Sequence, residues 1–259
     1  MNFRDLHRGR TPFVLPNAWD VPSALAYLAD GFTAVGTTSF GVSSSRGHRD
    51  GGRATREANI ALAEALSPLS CHVSVDVEDG YSDDPDAVAD YVAQLAVAGI
   101  NIEDSTDEQL VDPARAAAKV AAIRSRNPEV FVNARVDTYW LSQQADPAST
   151  IERALRYVDA GADGIFVPLA NNPDELAEII REIPRPVNTL PVPGLSLREL
   201  GELGVARVST GSMPYSAALF AAAAAARAVR DGQPLPPSTP YPDLQARLVD
   251  YESLSGTRG

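Results

Sequence analysis

The sequence predicts an α/β protein, a single (β/α)8 TIM-type barrel followed by a C-terminal proline-rich arm and helix. Three observations carry that prediction. Eight short runs rich in β-branched residues alternate with longer stretches of helical period. The junctions repeat one pattern, a helix that ends near glycine and turns into the next strand, as in AGI, AGADGI and LGVARV. The chain has 259 residues, close to the roughly 250 of a one-domain barrel.

The runs fall at Phe13–Leu15, Ala34–Thr37, Val73–Val77, Ile100–Glu103, Val130–Arg135, Gly164–Val167, Pro186–Thr189 and Arg207–Ser209. Helical stretches lie near 21–30, 54–67, 86–98, 112–126, 147–160, 173–182, 196–203 and 215–230. Parallel strands need helical crossovers, so eight such units close most simply into a barrel. Pro85 and Asp86 mark a helix start, while Gly99, Gly161 and Gly204 stand where helices should stop. An open doubly wound sheet is the alternative, but no G-x-G-x-x-G follows the first strand. Residues 1–232 then form the catalytic barrel and 233–259 the arm. The arm consists of QPLPPSTPYP over 233–242 and an amphipathic segment from Asp243 to Leu254. Such an arm either docks on a neighbour, which predicts a homo-oligomer (dimer or tetramer), or folds back on its own barrel.

Composition narrows the partners. Hydrophobic content of 44% and charged content of 22% are those of an ordinary globular chain, which excludes wholesale disorder. A formal charge of −12, with no dense basic stretch, excludes nucleic acid and argues against anionic membranes. The longest apolar run, Ala217 to Ala226, is too short to span a bilayer. Cys71 is the only cysteine, which excludes an intrachain disulfide and a multi-cysteine zinc site. MNFRDLHRGRTPFVL lacks the apolar core of a secretory signal, so a cytoplasmic location is expected.

A barrel carries its chemistry at the C-terminal ends of its strands. Those ends read Thr37-Thr38-Ser39-Phe40-Gly41, Asp76-Val77-Glu78-Asp79-Gly80-Tyr81, Glu103-Asp104, Asn133-Ala134-Arg135-Val136-Asp137, Asn188 and Ser209-Thr210-Gly211. Asp76, Glu78 and Glu103 cannot all stay ionised in a confined mouth without a counter-charge. A hard cation answers this: Mg2+, with Mn2+ also acceptable, uses few carboxylates and keeps several waters. Period-two alternation puts Asp76 and Glu78 on one side of their strand, facing the lumen. Arg135 can then clamp a small-molecule carboxylate substrate beside the metal. The plainer alternative is an ion-pair network that closes the barrel top.

Other groups invite structural readings. Ser82-Asp83-Asp84 reads as a solvated lead into a helix N-terminus, and Asp137 as a brace for its neighbours. Asp50, near the end of a glycine- and serine-rich loop from Gly41 to Gly52, is a candidate to support substrate or metal, with His48 a lesser catalytic candidate. Cys71 lies before its strand, at the face opposite the acids, and reads as packing. Phe40, Tyr81, Tyr139 and Met213 either wall a small pocket or join the core.

The same strand ends carry a family resemblance. It runs through LPNAWDVPSALAYLADGFTAVGTTSFGVSSSRGHRDG, VSVDVEDGY, AGINIEDS, FVNARVDTYW, GADGIFVP, PVNTLPVPG and LGVARVSTG. The chain resembles the isocitrate lyase and phosphoenolpyruvate mutase superfamily, most closely its phosphonomutase-like members. The resemblance implies that Ser39, Phe40 and Gly41 bind a substrate carboxylate through backbone N–H groups. It matches Asp50 to the acid of a Gly-x-Pro-Asp motif, with Arg49 in place of the proline. It implies metal-binding roles for Asp76, Glu78 and Glu103, and substrate roles for Arg135 and Asn188. It also implies Mg2+ and an α-oxo acid or the enolate derived from it.

Two departures are visible. After Glu103-Asp104 the chain runs directly through Ser105-Thr106-Asp107-Glu108-Gln109-Leu110-Val111 toward a helix, without the Lys-Lys-Cys-Gly-His loop of the lyases or the mutase's own version. After the sixth strand Leu169 replaces the lyases' glutamate. Both point away from isocitrate or methylisocitrate lyase activity itself. The expectation is therefore a Mg2+-dependent enzyme working on a small α-oxo or 2-hydroxy carboxylate through an enolate, foremost as a carbon–carbon lyase. A hydrolase or phosphonomutase on the same platform, or a non-catalytic carboxylate-binding barrel, are the alternatives.

Overall fold

Phe13–Leu15 (β1) and Asn17–Ala18 (β2) are two halves of one strand interrupted at Pro16, and that interruption closes the sheet. In this computed structural model, which describes residues 2–256, β1 pairs in parallel with the last strand and β2 with the next one along. Proline offers no N–H to a ladder, yet the Pro16 carbonyl still accepts from the Gly36 amide at 2.8 Å. The chain continues through Val21–Ala29 (α1), Ala34–Thr37 (β3), Ser39–Ser44 (α2), Arg56–Leu66 (α3), His72–Asp76 (β4), Pro85–Leu95 (α4) and Gly99–Glu103 (β5). A two-stranded hairpin, Ser105–Thr106 (β6) and Gln109–Leu110 (β7), precedes Pro113–Arg126 (α5). Phe131–Arg135 (β8), Pro147–Asp159 (α6), Gly164–Phe166 (β9), Pro173–Glu182 (α7), Val187–Thr189 (β10), Leu197–Leu203 (α8) and Arg207–Ser209 (β11) complete the barrel. Met213–Arg230 (α9) and Tyr241–Gly256 (α10) follow. The sheet order β1-β11-β10-β9-β8-β5-β4-β3-β2 is parallel throughout, so the expected (β/α)8 TIM-type barrel is the observed fold.

Helix starts follow one local rule. An Asp or Asn side chain caps the first amides and a proline takes the first helical position at α4 (Asp84, Pro85), α5 (Asp112, Pro113), α6 (Asp146, Pro147) and α7 (Asn172, Pro173). Each cap contributes about 1 kcal/mol, and proline there sacrifices no hydrogen bond. The stops differ from expectation at one place. Gly161 and Gly204 do end α6 and α8 with positive φ, but α4 ends at Ala96 in the left-handed region (φ 51°). Gly99 instead opens β5, where a Cβ would lie 2.6 Å from Phe3 Cε1. Its role is close packing at the barrel floor.

Outward strand residues such as Val35, Val75, Ile100, Val132 and Ile165 are fully buried against the helices. The lumen is polar. Asn133 Nδ2 donates to Asn101 Oδ1 at 2.9 Å, and Arg207 donates to Asn101 Oδ1 (2.8 Å) and Ser209 Oγ (3.1 Å). Arg207 is wholly buried, and that burial lowers its guanidinium to about 9. Phe3, His7, Phe13 and Phe131 plug the floor, with His7 stacked on Phe131 at 4.2 Å between centroids. The half-buried Cys71 lies just before β4, at this end.

The segment expected from Asp243 to Leu254 is a longer helix, α10, with no buried residue. Tyr251 Oη donates to the Ala65 carbonyl at 2.9 Å, which ties α10 to its own barrel. The last three residues of the expected arm lie outside the described residues. Among the described residues no helix is long and apolar enough to cross a membrane.

Candidate active site

β4 ends at Asp76, and the chain then leaves strand geometry. Glu78 sits in the left-handed region (φ 49°), as does Tyr81 (φ 62°). The alternation argument for pairing Asp76 with Glu78 therefore fails, because the strand stops before Glu78. The turn brings Glu78 inward all the same. Its carboxylate accepts from the Arg53 amide at 3.0 Å and from the Thr55 hydroxyl. Burial, then the nearby Asp76 and Asp50, push the Glu78 carboxyl above its usual range, against the opposing Thr55 and Arg53 hydrogen bonds.

Cross-strand register sets the second half of the site. Glu103 and Arg135 are direct partners across β5 and β8, with Arg135 Nη1 donating to Glu103 Oε1 at 2.5 Å. Arg135 Nε donates to Asp137 Oδ1 at 2.6 Å, and Ser105 Oγ to Asp137 Oδ2 at 2.5 Å. Asp137 thus braces the arginine, as expected. Trp140 and Phe166 flank the guanidinium at 4.9 and 5.6 Å from their ring centroids. Burial drives Glu103 well above the carboxylate range; Arg135 opposes that shift, while Asp137, Asp76 and Asp50 add to it.

Ser39-Phe40-Gly41 is not a free turn and the following segment is not all loop. These residues are the first turn of α2, which runs to Ser44 and is capped by Thr38. The Ser39 amide donates to Asp76 Oδ2 at 3.1 Å, and the Gly41 amide to Thr38 Oγ1 at 3.4 Å. A Cβ on Gly41 would lie 2.8 Å from Thr38 Cγ2 and 2.9 Å from Trp19 Cβ, so only glycine lets the helix start this close to Trp19.

Two cavities meet at Asp50 and Arg135. One, of about 460 Å3, holds Asp76, Ser39, Phe40, Asn17 and Asn101. The other, of about 240 Å3, holds Glu78, Glu103, Asp79 and Arg53. Partial burial and then Asp76 raise the Asp50 carboxyl. Asn188 does not reach either wall; it bonds Ser209 Oγ at 3.1 Å beneath the mouth, and Ser209 lines the cavity in its place. His48 lies exposed on the loop and lines neither cavity. Phe40 and Met213 do wall the larger cavity, whereas Tyr81 is engaged with Thr55 and Asn59, and Tyr139 with Glu175.

Several residues escaped sequence reading. Arg53 grips Asp79 and Asp83, Thr106 Oγ1 donates to Asp79 Oδ2 at 2.7 Å, and Lys119 Nζ donates to the Asp79 carbonyl at 2.7 Å. Burial would raise Asp79, but Arg53, Thr106 and Lys119 outweigh it and hold it below the usual range. Asp79 is thereby held as an anion on the same cavity wall as Glu78 and Glu103.

Metal fit turns on one atom. Asp76 Oδ1 is buried and has no hydrogen-bond partner. An orphaned carboxylate oxygen in a group of hard oxygen donors matches a hard divalent cation. Among the described residues no three His, Cys, Asp or Glu side chains converge to hold an ion by themselves. The donor set therefore suits an ion that takes one carboxylate directly and completes its shell with water.

A parallel barrel with acids and one braced arginine at its C-terminal mouth is the architecture of an α/β-barrel enzyme class. The chain belongs to the phosphoenolpyruvate phosphomutase family, whose profile matches residues 3–230. It is 77% identical over 257 residues to an uncharacterized protein of Mycobacterium tuberculosis, covering 99% of this chain and 100% of that one. A 2-methylisocitrate lyase of Bacillus subtilis is 28% identical over 198 residues, covering 71% of this chain and 64% of the lyase. The structure of 2,3-dimethylmalate lyase, a PEP mutase/isocitrate lyase superfamily member, matches with a TM-score of 0.82 at 26% identity, over 99% of this chain and 96% of that one. The relatives thus include both lyases and phosphomutases.

Proposed function

We propose that this protein is a Mg2+-dependent enzyme acting on a small α-oxo or 2-hydroxy carboxylate through an enolate, foremost as a carbon–carbon lyase. The observation that carries the reading is the buried, unpartnered Asp76 Oδ1 beside Asp50 and Arg135. Asp76 would hold the ion directly, with Glu78 and Glu103 acting through its water; Mn2+ would fit the same donors. A bound divalent ion would supply positive charge where the enolate oxygen develops. Arg135, stacked between Trp140 and Phe166 and braced by Asp137, would orient the substrate carboxylate. In the first turn of α2 the Ser39 and Gly41 amides are engaged with Asp76 and Thr38, which leaves the Phe40 N–H to meet the same carboxylate, and Asn188 would fix Ser209 below it. Asp50, whose carboxyl is raised and open to the mouth, is the best-placed group to exchange a proton.

The β6–β7 hairpin favours a second reading. It carries no lysine, histidine or cysteine over Ser105–Leu110, so a hydrolase, a phosphonomutase or a non-catalytic carboxylate-binding barrel shares the platform. Incubation with Mg2+ and a panel of 2-oxo and 2-hydroxy acids, followed by NMR of the products, separates these. Lysis yields an oxo acid and a second fragment, hydrolysis yields two acids, and binding without turnover supports the idle barrel. Absence of both oxalate and pyruvate binding would sink the proposal.

The barrel is proposed to work as a homo-oligomer through its last 27 residues, 233–259, and α9. Phe220 is 71% exposed and Val229 69%, and Leu219, Leu244 and Val249 are open as well. The free Cys71 thiol fits a cytoplasmic setting.

A further inference from the structure

Large exposed apolar side chains occur in two places only among the described residues. One group lies along Leu219–Leu254, in α9, the arm and α10. The other is Phe40, Trp140, Leu169 and Met213, and all four line the larger cavity at the barrel mouth. They come from four different strand ends, so no single element accounts for their convergence. Leu190 and Pro191 extend the same wall.

Charge is distributed just as unevenly. Arg135 is the only cation on the lining of this cavity among the described residues, and Glu103 and Asp137 already pair with it. One substrate carboxylate can be received there. A further carboxylate on the substrate's far end would meet Phe40, Leu169, Leu190 and Met213 and no second cation, with only the turn at residues 210–212 ahead of α9 to offset its desolvation. Leu169 is also held with φ at 62°, a left-handed conformation that is unfavourable for a residue with a side chain. Leu169 nevertheless stays 39% exposed at the rim of the cavity and is not withdrawn into the core.

We infer that the substrate carries an alkyl or aryl substituent at the end remote from Arg135, and that tricarboxylates are excluded. This specificity rests on the reading given under Proposed function and names its substrate class. The polar side of the cavity receives the oxo-acid head. The apolar wall removes the tail from water, and each buried methylene strengthens binding about fourfold.

Calorimetric titration of the full-length protein in Mg2+ with oxamate, N-benzyloxamate and N-(4-carboxybenzyl)oxamate tests this. The three probes share one head and differ in the tail. N-benzyloxamate is expected to bind at least tenfold more tightly than oxamate, and the carboxybenzyl probe at least tenfold more weakly than N-benzyloxamate. Leu169→Arg should weaken N-benzyloxamate, strengthen the carboxybenzyl probe and leave oxamate unchanged, which also shows that the variant is folded. Equal affinities for the three probes, or a preference for the charged tail in the unsubstituted protein, would overturn the inference alone. Failure of oxamate itself to bind would overturn the proposed function and take this inference with it.

Discussion

The Ser39 amide nitrogen lies 3.1 Å from Asp76 Oδ2, and together with the Asp76 amide's bond to Thr37 Oγ1 (2.9 Å) it ties the end of β3 to the end of β4 while leaving Asp76 Oδ1 unpartnered. Satisfying that oxygen is worth energy only if a cation arrives. Mg2+ at ten times its dissociation constant should therefore stabilise the protein by about 1.4 kcal/mol, or roughly 3–6 °C in Tm for a chain of this size. Asp76→Asn keeps an acceptor for Ser39 and should abolish the Mg2+-dependent rise. Thermal melts with and without the ion read this directly.

Among the described residues Arg135 is the one counter-charge bonded to Glu103, and it pairs with Asp137 as well. Arg135→Ala strands two buried carboxylates, and breaking such a pair is expected to destabilise by about 3–5 kcal/mol. Adding Glu103→Gln should return part of that loss, because a neutral amide no longer needs the arginine. Urea denaturation of the wild type, the single and the double variant measures the coupling; strict additivity would mean the pair is not coupled.

The barrel was legible in the sequence because each strand is a short β-branched run and each crossover carries helical period. β1, β3 and β11 fall on the expected residues. α2 was not legible: Ser39–Ser44 reads SFGVSS, a segment of weak helix formers whose helix depends on the Thr38 cap and on Trp19 packing over Gly41. The β6–β7 hairpin is too short to show a period. At the site, Asp76, Glu103, Arg135 and Asp50 were legible as strand-end or loop charges and do meet. Arg53, Thr55 and Lys119 were not, because their importance lies in what they touch across the fold. Glu78 arrived for a different reason than alternation gave, a left-handed turn after the strand.

His7 sets a pH limit remote from the site. Burial, followed by the charge of Arg207, lowers its imidazole from 6.5 to about 3. The unfolded chain takes up a proton below pH 6.5 and the folded chain does not, so stability is full above that pH and falls as the pH drops toward 3. The loss should reach roughly 2–3 kcal/mol by pH 4.5. His7→Phe keeps the stack on Phe131 and removes the titration. Its stability should start lower, with the Phe3 carbonyl unpaired, and change less between pH 6.5 and 4.5.

α9 and α10 leave Leu219, Phe220, Val229, Leu244 and Val249 exposed, although Tyr251 holds α10 to Ala65. Truncation after residue 236 should reduce the sedimentation coefficient to that of a smaller assembly. An unchanged assembly state would assign α10 to its own barrel only.

The proposed function requires cooperation between Asp76, a divalent ion and Arg135. Isothermal titration of oxalate into the protein measures it, in Mg2+ and after chelation. Oxalate should bind in Mg2+, lose at least a hundredfold in affinity in chelator, and lose as much in Asp76→Ala with Mg2+ present. Oxalate binding that is equally tight without the ion, or undiminished in Asp76→Ala, would rule out that cooperation.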